Sequence, residues 1–356
     1  MSKPNVLVIG SGGVGAISAL SLSHNGGSTV TLVVRSDYDL INEKGFSINS
    51  CTYGKLTNWK PHNLARSVSE AREKYGPFDY ILLTTKNVPD GPTTCEEIVA
   101  PAVTEQNEVI ILLQNGIDIE KPMIAKFPGH LVLSGVSHIG STYYHGHVEN
   151  KGIDAVFLGD FNPKPACQHR ASSASAAAKI EEFISIYHNP GFNRIQVDAN
   201  VQKTRWEKLM YNSVFNVMTA LVDLDVNSMQ INGANDDLIR PAMAEIMAIA
   251  RSVGVECDQG IVEKFVHIGD GLFYSPSMCV DMRKKQLMEL EVILGNPIRI
   301  AREHSVPTPI LGVLYPLLKM VQFRIKQEKK MFVIDQRDFQ GSSDDYPRIF
   351  EEKYRH

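Results

Sequence analysis

Lys208, Asn212 and Asn216 follow one another at four-residue intervals in a segment with helical hydrophobic periodicity. Side chains at i, i+4 and i+8 share one face of a helix, so one amine and two amides would form a polar stripe. Asparagine is a mediocre helix former, and an exposed helix face usually carries glutamate and lysine instead. The stripe therefore favours a binding face for an oxygen-rich small molecule, with Lys208 as its acid–base group. An exposed helix face is the alternative interpretation.

Ser277 and Glu289 are two further candidates. Ser275-Pro276 predicts the N-cap and first residue of a helix, which places Ser277 in the first turn, where free N–H groups and a hydroxyl can hold a carboxylate. Along a straight helix Glu289 lies about 18 Å further on, too far for one small ligand to touch both unless the helix bends. Spacing alone makes Glu289 a surface carboxylate, and Pro297 predicts a break further along.

A glycine-rich segment near the start of the chain matches the pattern G-x-G-x-x-G. It follows an apolar run and precedes a predicted helix, the context in which such a loop binds the pyrophosphate of a dinucleotide. Gly10 would permit the tight turn, Gly12 the approach of the pyrophosphate, and Gly15 close packing of the helix on the strand. A glycine-rich turn without a ligand is the alternative. The segment consists of Gly10, Ser11, Gly12, Gly13, Val14 and Gly15.

Arg35 follows the second predicted strand and bears on the choice of cofactor. An acidic residue near this point binds the ribose 2′-hydroxyl of NAD, whereas an arginine accommodates the 2′-phosphate of NADP. Arg35, with Ser36 as a hydrogen-bonding neighbour, therefore favours NADP(H). Asp37 complicates this assignment, because it could bind the ribose if the loop folded differently. A solvated surface cation is the alternative for Arg35.

Lys86 and Asn115 each follow an apolar run that predicts a buried strand. Ligands of open α/β sheets bind beyond the carboxyl ends of the strands. We therefore expect both side chains to reach the cofactor or the substrate, with the capping of a loop as the alternative.

The first half of the chain alternates buried strands with helices, which predicts βαβ units and a parallel sheet. Strands are predicted at Asn5–Ile9, Thr29–Val34, Tyr80–Thr84 and Val109–Leu113. Further on, we predict a hairpin or strand pair at His145–Asp160 with Gly152 near its turn, a loop at Arg170–Lys179 that leads into a helix at Ala176–Tyr187, and a last strand at Arg194–Val197.

From about residue 200 the periodicity is helical throughout. Helical segments are predicted at Val201–Leu221, Asp237–Val253, Pro276–Glu303 and Leu311–Lys329. The predicted fold class is an N-terminal α/β Rossmann-type dinucleotide-binding domain followed by an all-α C-terminal domain. We expect the first at residues 1–198, a helical substrate and catalytic domain at 199–335, and a polar tail at 336–356. The tail either is disordered or packs against a partner subunit.

The composition argues against several classes of protein. The 356 residues carry a formal net charge of −4, which leaves no basic surplus for nucleic acid. The five cysteines are odd in number and lack metal-binding spacing, which predicts a reduced compartment. No secretory signal and no membrane-spanning run are recognised, so we expect a cytoplasmic protein. Tyr143–His147 contains two histidines without an evident third ligand, so no metal is expected.

Several of these motifs recur in one known family. They are the glycine-rich loop, Lys86, Gln114-Asn115-Gly116, Trp206-Glu207-Lys208-Leu209 with Asn212 and Asn216, Ser277-Met278, and Glu289 with Gly295. In this order and spacing, from about Asn5 to Leu318, the chain resembles the ketopantoate reductases (2-dehydropantoate 2-reductases). The resemblance implies NADPH-dependent reduction of ketopantoate to pantoate, a step of pantothenate biosynthesis.

The resemblance also implies a role for each matching residue. Lys208 would be the general acid toward the 2-keto oxygen, Glu289 would hydrogen-bond the substrate, and Asn115 would lie near the nicotinamide and the substrate. The other matches are substrate-binding positions at Asn212, Asn216 and Ser277, and cofactor-binding positions at Arg35 and Lys86. This implication replaces the interpretation of Glu289 as a surface carboxylate.

Tyr274 departs from the family, whose members often have a substrate-binding asparagine there. The chain is also longer than typical members, mainly around residues 165–180 and in the tail. A D-2-hydroxyacid dehydrogenase or reductase of another 2-keto acid is therefore the second hypothesis. A non-catalytic NADP sensor is the third, and the presence of Lys208, Asn115 and Glu289 argues against it. The expected partners are a small 2-keto acid and, from apolar helical surface, a second copy of the chain in a homodimer.

Overall fold

The computed structural model describes residues 3–104, 108–161 and 173–354. It divides the chain into two compact units. The first unit comprises Met1–Asn87 and Thr93–Lys208, and the second comprises Val88–Pro92 and Leu209–His356. The second unit therefore includes a short stretch from the first half of the sequence.

Within the described residues, all strands belong to the first unit, where they form two sheets. The strands are β1 Asn5–Ile9, β2 Thr29–Val33, β3 Phe46–Ser50, β4 Gly54–Trp59, β5 Asn63–Ala65, β6 Tyr80–Leu83, β7 Val109–Leu112, β8 Leu131–His138, β9 Ser141–Tyr144, β10 His147–Asn150, β11 Asp154–Asp160 and β12 Asn193–Val197. The helices up to the boundary are α1 Gly13–His24, α2 Tyr38–Lys44, α3 Val68–Tyr75, α4 Cys95–Val99, α5 Glu120–Lys126, α6 Ser173–Tyr187 and α7 Val201–Tyr211.

The large sheet has eight strands in the order β12-β11-β8-β7-β6-β1-β2-β5. Six neighbouring strands run parallel to one another, in the order β5, β2, β1, β6, β7 and β8. The next strand, β11, is antiparallel to β8. β6 and β7 are buried along their whole length, as expected for apolar strands of a parallel sheet. The chain runs from β1 to β2 and β5 on one side of β1 and then crosses to β6 on the other side, so the strand order reverses at β1, the topological switch point where such sheets bind ligands.

The small sheet has the order β4-β3-β10-β9 and packs with the large sheet around α1. The helix contacts β1 and β2 of the large sheet and β9 and β10 of the small one, and it is buried from Gly15 to Leu22. One hydrophobic cluster extends through both sheets and α6, with Leu32, Phe46, Val148 and Phe183 among its members. The start of α1 is thus held between two sheets.

The hairpin or strand pair predicted at His145–Asp160 is wrong, because the two strands in this range do not pair with each other. β10 pairs with β9 and β3 in the small sheet, whereas β11 pairs with β8 and β12 in the large one. Gly152 lies between them and packs against Gly140, where a β-carbon on Gly152 would come within 2.8 Å of the Gly140 nitrogen. The glycine therefore marks a close crossing of two chain segments and not a hairpin turn.

The loop predicted at Arg170–Lys179 is helical from Ser173 onward, where α6 begins. Alanine has the highest helix propensity, so the low complexity of this alanine-rich stretch does not indicate a loop. Residues 162–172, including Cys167 and much of the expected insertion, lie outside the described residues. The strands β3, β4, β5, β8 and β9 were not predicted either.

The described part of the second unit is helical, which together with the first unit confirms the predicted fold class. Its helices are α8 Val217–Val222, α9 Val226–Ile231, α10 Arg240–Ser252, α11 Ile261–His267, α12 Ser277–Arg283, α13 Asn296–Glu303, α14 Leu311–Glu328 and α15 Tyr346–Tyr354. Three five-residue segments are π-helical, at Asn212–Asn216, Asn235–Ile239 and Glu291–Gly295. No helix in the described ranges is long and apolar enough to cross a membrane.

The continuous helical segment predicted at Pro276–Glu303 is wrong. α12 ends at Arg283, and Lys285 takes a left-handed conformation with φ +54° that interrupts the helix. The N-cap is Pro276 and not Ser275, one residue later than predicted. The helix break predicted at Pro297 is not present either. Pro297 lies at the start of α13, directly after a π-helical segment, where a proline is tolerated.

The polar tail folds as part of the second unit up to Tyr354. The ring of Phe350 in α15 lies 5.2 Å from that of Phe323 in α14 and 4.9 Å from that of Phe332. Tyr354 stacks on Phe350 at 5.7 Å. The tail therefore carries an apolar face that its overall polar composition conceals.

Candidate active site

The glycine-rich loop joins β1 to α1 at the switch point of the large sheet. Gly10 has φ +111°, and a β-carbon there would lie 2.9 Å from the backbone nitrogen of Thr85. A β-carbon on Gly15 would lie 1.8 Å from the carbonyl oxygen of Gly10, so only glycine lets α1 start this close to β1. Packing within the protein fixes both glycines, in the roles that the motif predicts.

Gly12 is different, because apart from its chain neighbours and its own helix no heavy atom of the described residues lies within 4 Å of a β-carbon built there. It is the N-cap of α1, it has no side-chain cap, and the first turn contains no acidic residue. The first N–H groups of the helix are therefore open to an anion. The loop fits the pyrophosphate of a dinucleotide.

Gly13 has a role that the sequence did not suggest. A β-carbon on Gly13 would lie 2.6 Å from the carbonyl oxygen of Ser141, the first residue of β9. The small sheet therefore packs directly on the first turn of α1, and only glycine fits at that contact.

Arg35 is exposed just beyond β2, and within the described part of the chain its guanidinium has no ion-pair partner. The carboxylate of Asp37, the residue that complicates the cofactor assignment, is engaged elsewhere. It accepts a hydrogen bond of 2.5 Å from the hydroxyl of Tyr143 and lies 3.7 Å from Nδ1 of His145. The cation is therefore available to a phosphate, whereas the carboxylate already has partners.

Lys86 is exposed beyond β6, and Asn115 is half-buried beyond β7. Gln114 ties these two strand ends together, because its side-chain Nε2 donates to the carbonyl oxygen of Thr85 at 2.7 Å. The carboxyl ends of β1, β2, β6 and β7 thus carry the glycine loop, Arg35, Lys86 and Asn115 along one edge of the sheet.

Lys208 lies half-buried in α7. Its Nζ donates to Oδ1 of Asn115 at 2.8 Å and to the carbonyl oxygen of Ser137, near the end of β8, at 2.5 Å. The structure therefore brings together two of the residues expected to act in catalysis, through one direct hydrogen bond.

Arg205, one helical turn before Lys208, was missed by the sequence analysis. Its Nη1 donates to the carbonyl oxygens of Gln114 at 2.8 Å and of Gly116 at 3.1 Å. These carbonyl groups flank Asn115, so one guanidinium holds the backbone on both sides of the asparagine.

The rest of the Arg205 side chain is buried against Glu120 and Ser134. Nε lies 3.0 Å from Oε1 of Glu120, and the two side chains are only 5% and 0% exposed. Ser134 Oγ accepts from Nε and Nη2 of Arg205 and donates to Glu120 at 2.6 Å. Burial lowers the pKa of Arg205, and the adjacent Glu120 carboxylate opposes that shift.

In the second unit, Asn212 and Asn216 stand at the two ends of a π-helical segment and are 7% and 2% exposed. Nδ2 of Asn216 donates to Oδ1 of Asn212 at 3.3 Å and to Oγ of Ser277 at 3.2 Å. Oδ1 of Asn216 has no partner among the described residues. The burial excludes an exposed helix face for these amides, and three of the expected substrate-binding residues lie in one polar group.

Glu289 is 3% exposed, so its interpretation as a surface carboxylate from spacing alone is wrong. It ends the non-helical stretch that follows α12. The side chain of Gln322 in α14 holds the backbone of Met288, the residue before Glu289. Its Oε1 accepts from the Met288 nitrogen at 3.0 Å, and its Nε2 donates to the Met288 carbonyl oxygen at 3.1 Å. The interruption after α12 is what allows Glu289 to be buried.

Tyr274, the departure from the family pattern, shares a hydrogen bond with the hydroxyl of Tyr211. The ring of Tyr211 packs against Phe215 at 4.8 Å and Phe265 at 5.9 Å. Burial raises the pKa of both phenols, so both are neutral hydroxyl groups near neutral pH. Among the described residues, no group of three His, Cys, Asp or Glu side chains could hold a metal ion.

Family models match both halves of the chain. Residues 6–163 match the model described as Ketopantoate reductase PanE/ApbA, and residues 200–322 match Ketopantoate reductase PanE/ApbA C terminal. The chain belongs to the ketopantoate reductase family. The resemblance found in the sequence is thereby confirmed, and the chain is an oxidoreductase of the ketopantoate reductase kind.

Relatives and solved structures resemble the chain over most of its length. An uncharacterized protein of Saccharomyces cerevisiae is 42% identical, covering 93% of this chain and 97% of the relative. The crystal structure of 2-dehydropantoate 2-reductase from Methylococcus capsulatus is 32% identical with a TM-score of 0.74, covering 90% of this chain and 97% of the other. A structure of D-mandelate dehydrogenase with NADH and anilino(oxo)acetate has a TM-score of 0.76 at 19% identity, covering 90% and 99%, which shows a shared fold.

Proposed function

We propose that the chain is an NADPH-dependent reductase that converts ketopantoate to pantoate, with Lys208 as the general acid. Membership of the ketopantoate reductase family supports the reaction type. The observation that carries the residue assignment is the position of the Lys208 ammonium, which Asn115 and Ser137 hold at 2.8 and 2.5 Å.

Reduction of a ketone at carbon develops negative charge on its oxygen, and a nearby ammonium stabilises that charge and supplies a proton. The two oxygen acceptors around Lys208 interact with its charged form and restrict the direction in which its N–H groups point. Lys208 is the candidate for this proton because of that arrangement.

A bound nicotinamide dinucleotide would supply the hydride that the ketone carbon accepts. The backbone at Gly12 and the N-terminus of α1 would receive the pyrophosphate, and Arg35 the 2′-phosphate. Lys86 and Asn115 would contact the nicotinamide half. The open space at Gly12 and the guanidinium of Arg35, which has no ion-pair partner among the residues that the structure describes, support this orientation.

The substrate would be bound by Asn212, Asn216, Ser277 and Glu289. Amide and hydroxyl groups can donate to a carboxylate, and Glu289 can accept from a hydroxyl group of the substrate. The unpartnered Oδ1 of Asn216 supports a ligand at this position, because a buried acceptor without a hydrogen bond is unfavourable.

Lys208→Ala tests the proposal directly. We expect kcat with ketopantoate and NADPH to fall by about 10²–10⁴-fold, the usual contribution of a general acid, while the Kd for NADPH changes little. Initial rates of NADPH oxidation give kcat, and fluorescence titration gives Kd. Lys203→Ala is the matched control, because Lys203 lies on the same helix in an ion pair with Glu207 at 3.8 Å.

Unchanged turnover in Lys208→Ala would refute the assignment of Lys208. Rates with NADPH and NADH on ketopantoate and on bulkier 2-keto acids then test the substrate. Wild-type protein that binds NADPH tightly but reduces no keto acid would favour the sensor hypothesis.

Reduction of a different 2-keto acid is the second candidate function, and the Tyr211–Tyr274 pair favours it. Tyr274 stands where an asparagine is common in the family and pairs with the hydroxyl of Tyr211, so the space and the donors offered to the substrate differ. If ketopantoate is a poor substrate and another 2-keto acid is reduced, the assignment of Lys208 survives and Tyr274 becomes the first residue to vary.

The cytoplasmic location, the role in pantothenate biosynthesis and the homodimer stay predictions. The division into a dinucleotide-binding domain at 1–198, a substrate and catalytic domain at 199–335 and a tail at 336–356 also stays a prediction. Exposed apolar side chains that a partner could cover are present on the second unit at Ile231, Leu272 and Phe273.

A further inference from the structure

Asp37 lies two residues beyond Arg35, and its carboxylate is held by the small sheet. The hydroxyl of Tyr143 donates to Oδ2 at 2.5 Å, and Nδ1 of His145 lies 3.7 Å from Oδ1. Tyr143 belongs to β9, and His145 lies in the turn that connects β9 to β10. Burial and the hydrogen bond to Asp37 raise the pKa of Tyr143, so the phenol stays a neutral donor under assay conditions.

Asp39, the next acidic residue, lies in the first turn of α2 and is also engaged. Its two carboxylate oxygens accept from Nη2 and Nη1 of Arg66 at 2.6 and 3.2 Å. The Arg66 guanidinium also lies 4.1 Å from the centre of the Tyr38 ring, which fixes its position. Both carboxylates that follow β2 therefore have partners, whereas Arg35 has no ion-pair partner within the described residues.

The charge of the side chains that face the adenosine ribose determines whether a site binds NAD or NADP. A free carboxylate accepts hydrogen bonds from the ribose hydroxyls, and it repels a 2′-phosphate by like charge. A free guanidinium does the opposite, because it pairs with the phosphate through two N–H groups. The loop after β2 contains both residue types, so the outcome depends on which of them is turned toward the ribose.

We propose that Tyr143 is a specificity-determining residue, which holds the Asp37 carboxylate against the small sheet and so leaves Arg35 to bind the 2′-phosphate of NADP(H). This inference rests on the proposed function only in requiring that the glycine-rich loop binds a nicotinamide dinucleotide. It does not depend on the identity of the keto acid. It also gives a role to the Tyr143–His147 stretch, which the reaction itself does not use.

Binding of two nucleotide fragments to the full-length protein tests the proposal without catalysis. The fragments 2′,5′-ADP and 5′-AMP differ only in the 2′-phosphate, and titration calorimetry gives a Kd for each. We expect wild-type protein to prefer 2′,5′-ADP. Tyr143→Phe, which removes only the hydroxyl, should reduce that preference at least about tenfold, because the released carboxylate repels the phosphate. The ratio of kcat/KM for NADPH to that for NADH should fall in parallel.

Two further variants separate this effect from a general loss of structure. The double variant Tyr143→Phe with Asp37→Asn should regain the wild-type preference, because no carboxylate remains to be released. Tyr144→Phe is the matched control, because Tyr144 is adjacent on the strand, points to the other face and is 67% exposed. Its preference should equal that of the wild-type protein.

A Tyr143→Phe variant with the wild-type preference would overturn the proposal. So would a double variant that loses as much preference as Tyr143→Phe alone, because the hydroxyl would then act independently of Asp37. Wild-type protein that binds both fragments equally refutes the selection of NADP(H) but leaves the loop as a dinucleotide site. Wild-type protein that binds neither fragment refutes the cofactor assignment in the proposed function.

Discussion

The carboxyl group of Asp154, at the start of β11, is 1% exposed. Oδ2 accepts from Tyr187 at 2.6 Å and from Ser21 at 3.4 Å, whereas Oδ1 has no partner among the described residues. Burial raises its pKa from 3.8 to about 6, and the two hydrogen bonds offset only part of this shift. The folded protein therefore holds this proton more tightly than the unfolded chain does.

The consequence is a pH dependence of stability that one substitution should remove. Because the folded pKa lies above the unfolded one, the free energy of unfolding should fall as pH rises from about 4 to about 6, by about 3 kcal/mol. Asp154→Asn keeps an oxygen acceptor for Tyr187 and carries no charge. We expect it to lose this pH dependence and to be more stable than the wild-type protein at pH 7, as measured by urea unfolding across this range.

Tyr187→Phe gives a second check on the same carboxyl group. The hydroxyl of Tyr187 lowers the pKa of Asp154, so its loss should extend the destabilisation to higher pH. Identical pH profiles for wild-type protein and Asp154→Asn would contradict the role assigned to this carboxyl group.

For single residues, the sequence could predict the roles of those that belong to a short motif. It could not predict the roles of those that act through contacts distant in sequence. Gly10 and Gly15 take the positions that the motif predicts, and Lys208 lies beside Asn115. Tyr143 and Asp37, by contrast, are 106 residues apart in sequence. No local spacing relates such a pair, because only the packing of the small sheet brings the two side chains together.

α7 is joined to α5 and β8 by the buried ion pair between Arg205 and Glu120, with Ser134 between them. Removing one member of a buried pair leaves the other charge without compensation. We expect Arg205→Met to lower the free energy of unfolding by about 3–5 kcal/mol. The double variant with Glu120→Gln should recover part of that loss, since no isolated carboxylate remains.

Arg194→Met is the control for this experiment, because Arg194 is exposed on β12 of the same unit. Equal stability of the two arginine variants in urea would mean that the buried pair contributes no more than a surface residue.

Elements with a strong local pattern could be predicted, and the small sheet could not. β1, β6 and β7 are apolar apart from Asn5, and their bounds match the prediction within one residue. β4 alternates weakly and is mostly exposed, and β10 pairs with β3 across 100 residues. Such pairing depends on the tertiary fold, and the same reason explains the wrong hairpin at His145–Asp160.

Over the whole molecule, the C-terminal tail adds to the packing of the second unit through Phe350 and Tyr354. Deletion of residues 336–356 would uncover the rings of Phe323 and Phe332. We expect this deletion to lower Tm by at least about 4 °C in scanning calorimetry, which corresponds to a loss of about 3 kcal/mol when all 356 residues unfold together.

Phe350→Ala should reproduce most of the effect of the deletion, because it removes the ring shared by the aromatic contacts. Arg348→Ala is the control, since Arg348 is exposed and its ion pairs within the described residues are surface pairs with Asp345 and Glu352. A deletion that leaves Tm unchanged would show that the tail contributes nothing to the stability of the isolated chain.

The π-helical turn at Asn212–Asn216 makes the number of residues in this segment as important as their identity. A π turn accommodates one residue more than the α geometry requires. Deleting one of the three residues between the asparagines would let the hydrogen-bond ladder close as an ordinary α-helix, and the helix beyond the turn would keep its orientation. Asn212 and Asn216 would then be three residues apart, so they would lose the spacing at which Nδ2 of Asn216 donates to Oδ1 of Asn212. For this segment, the length of the turn is therefore part of the site.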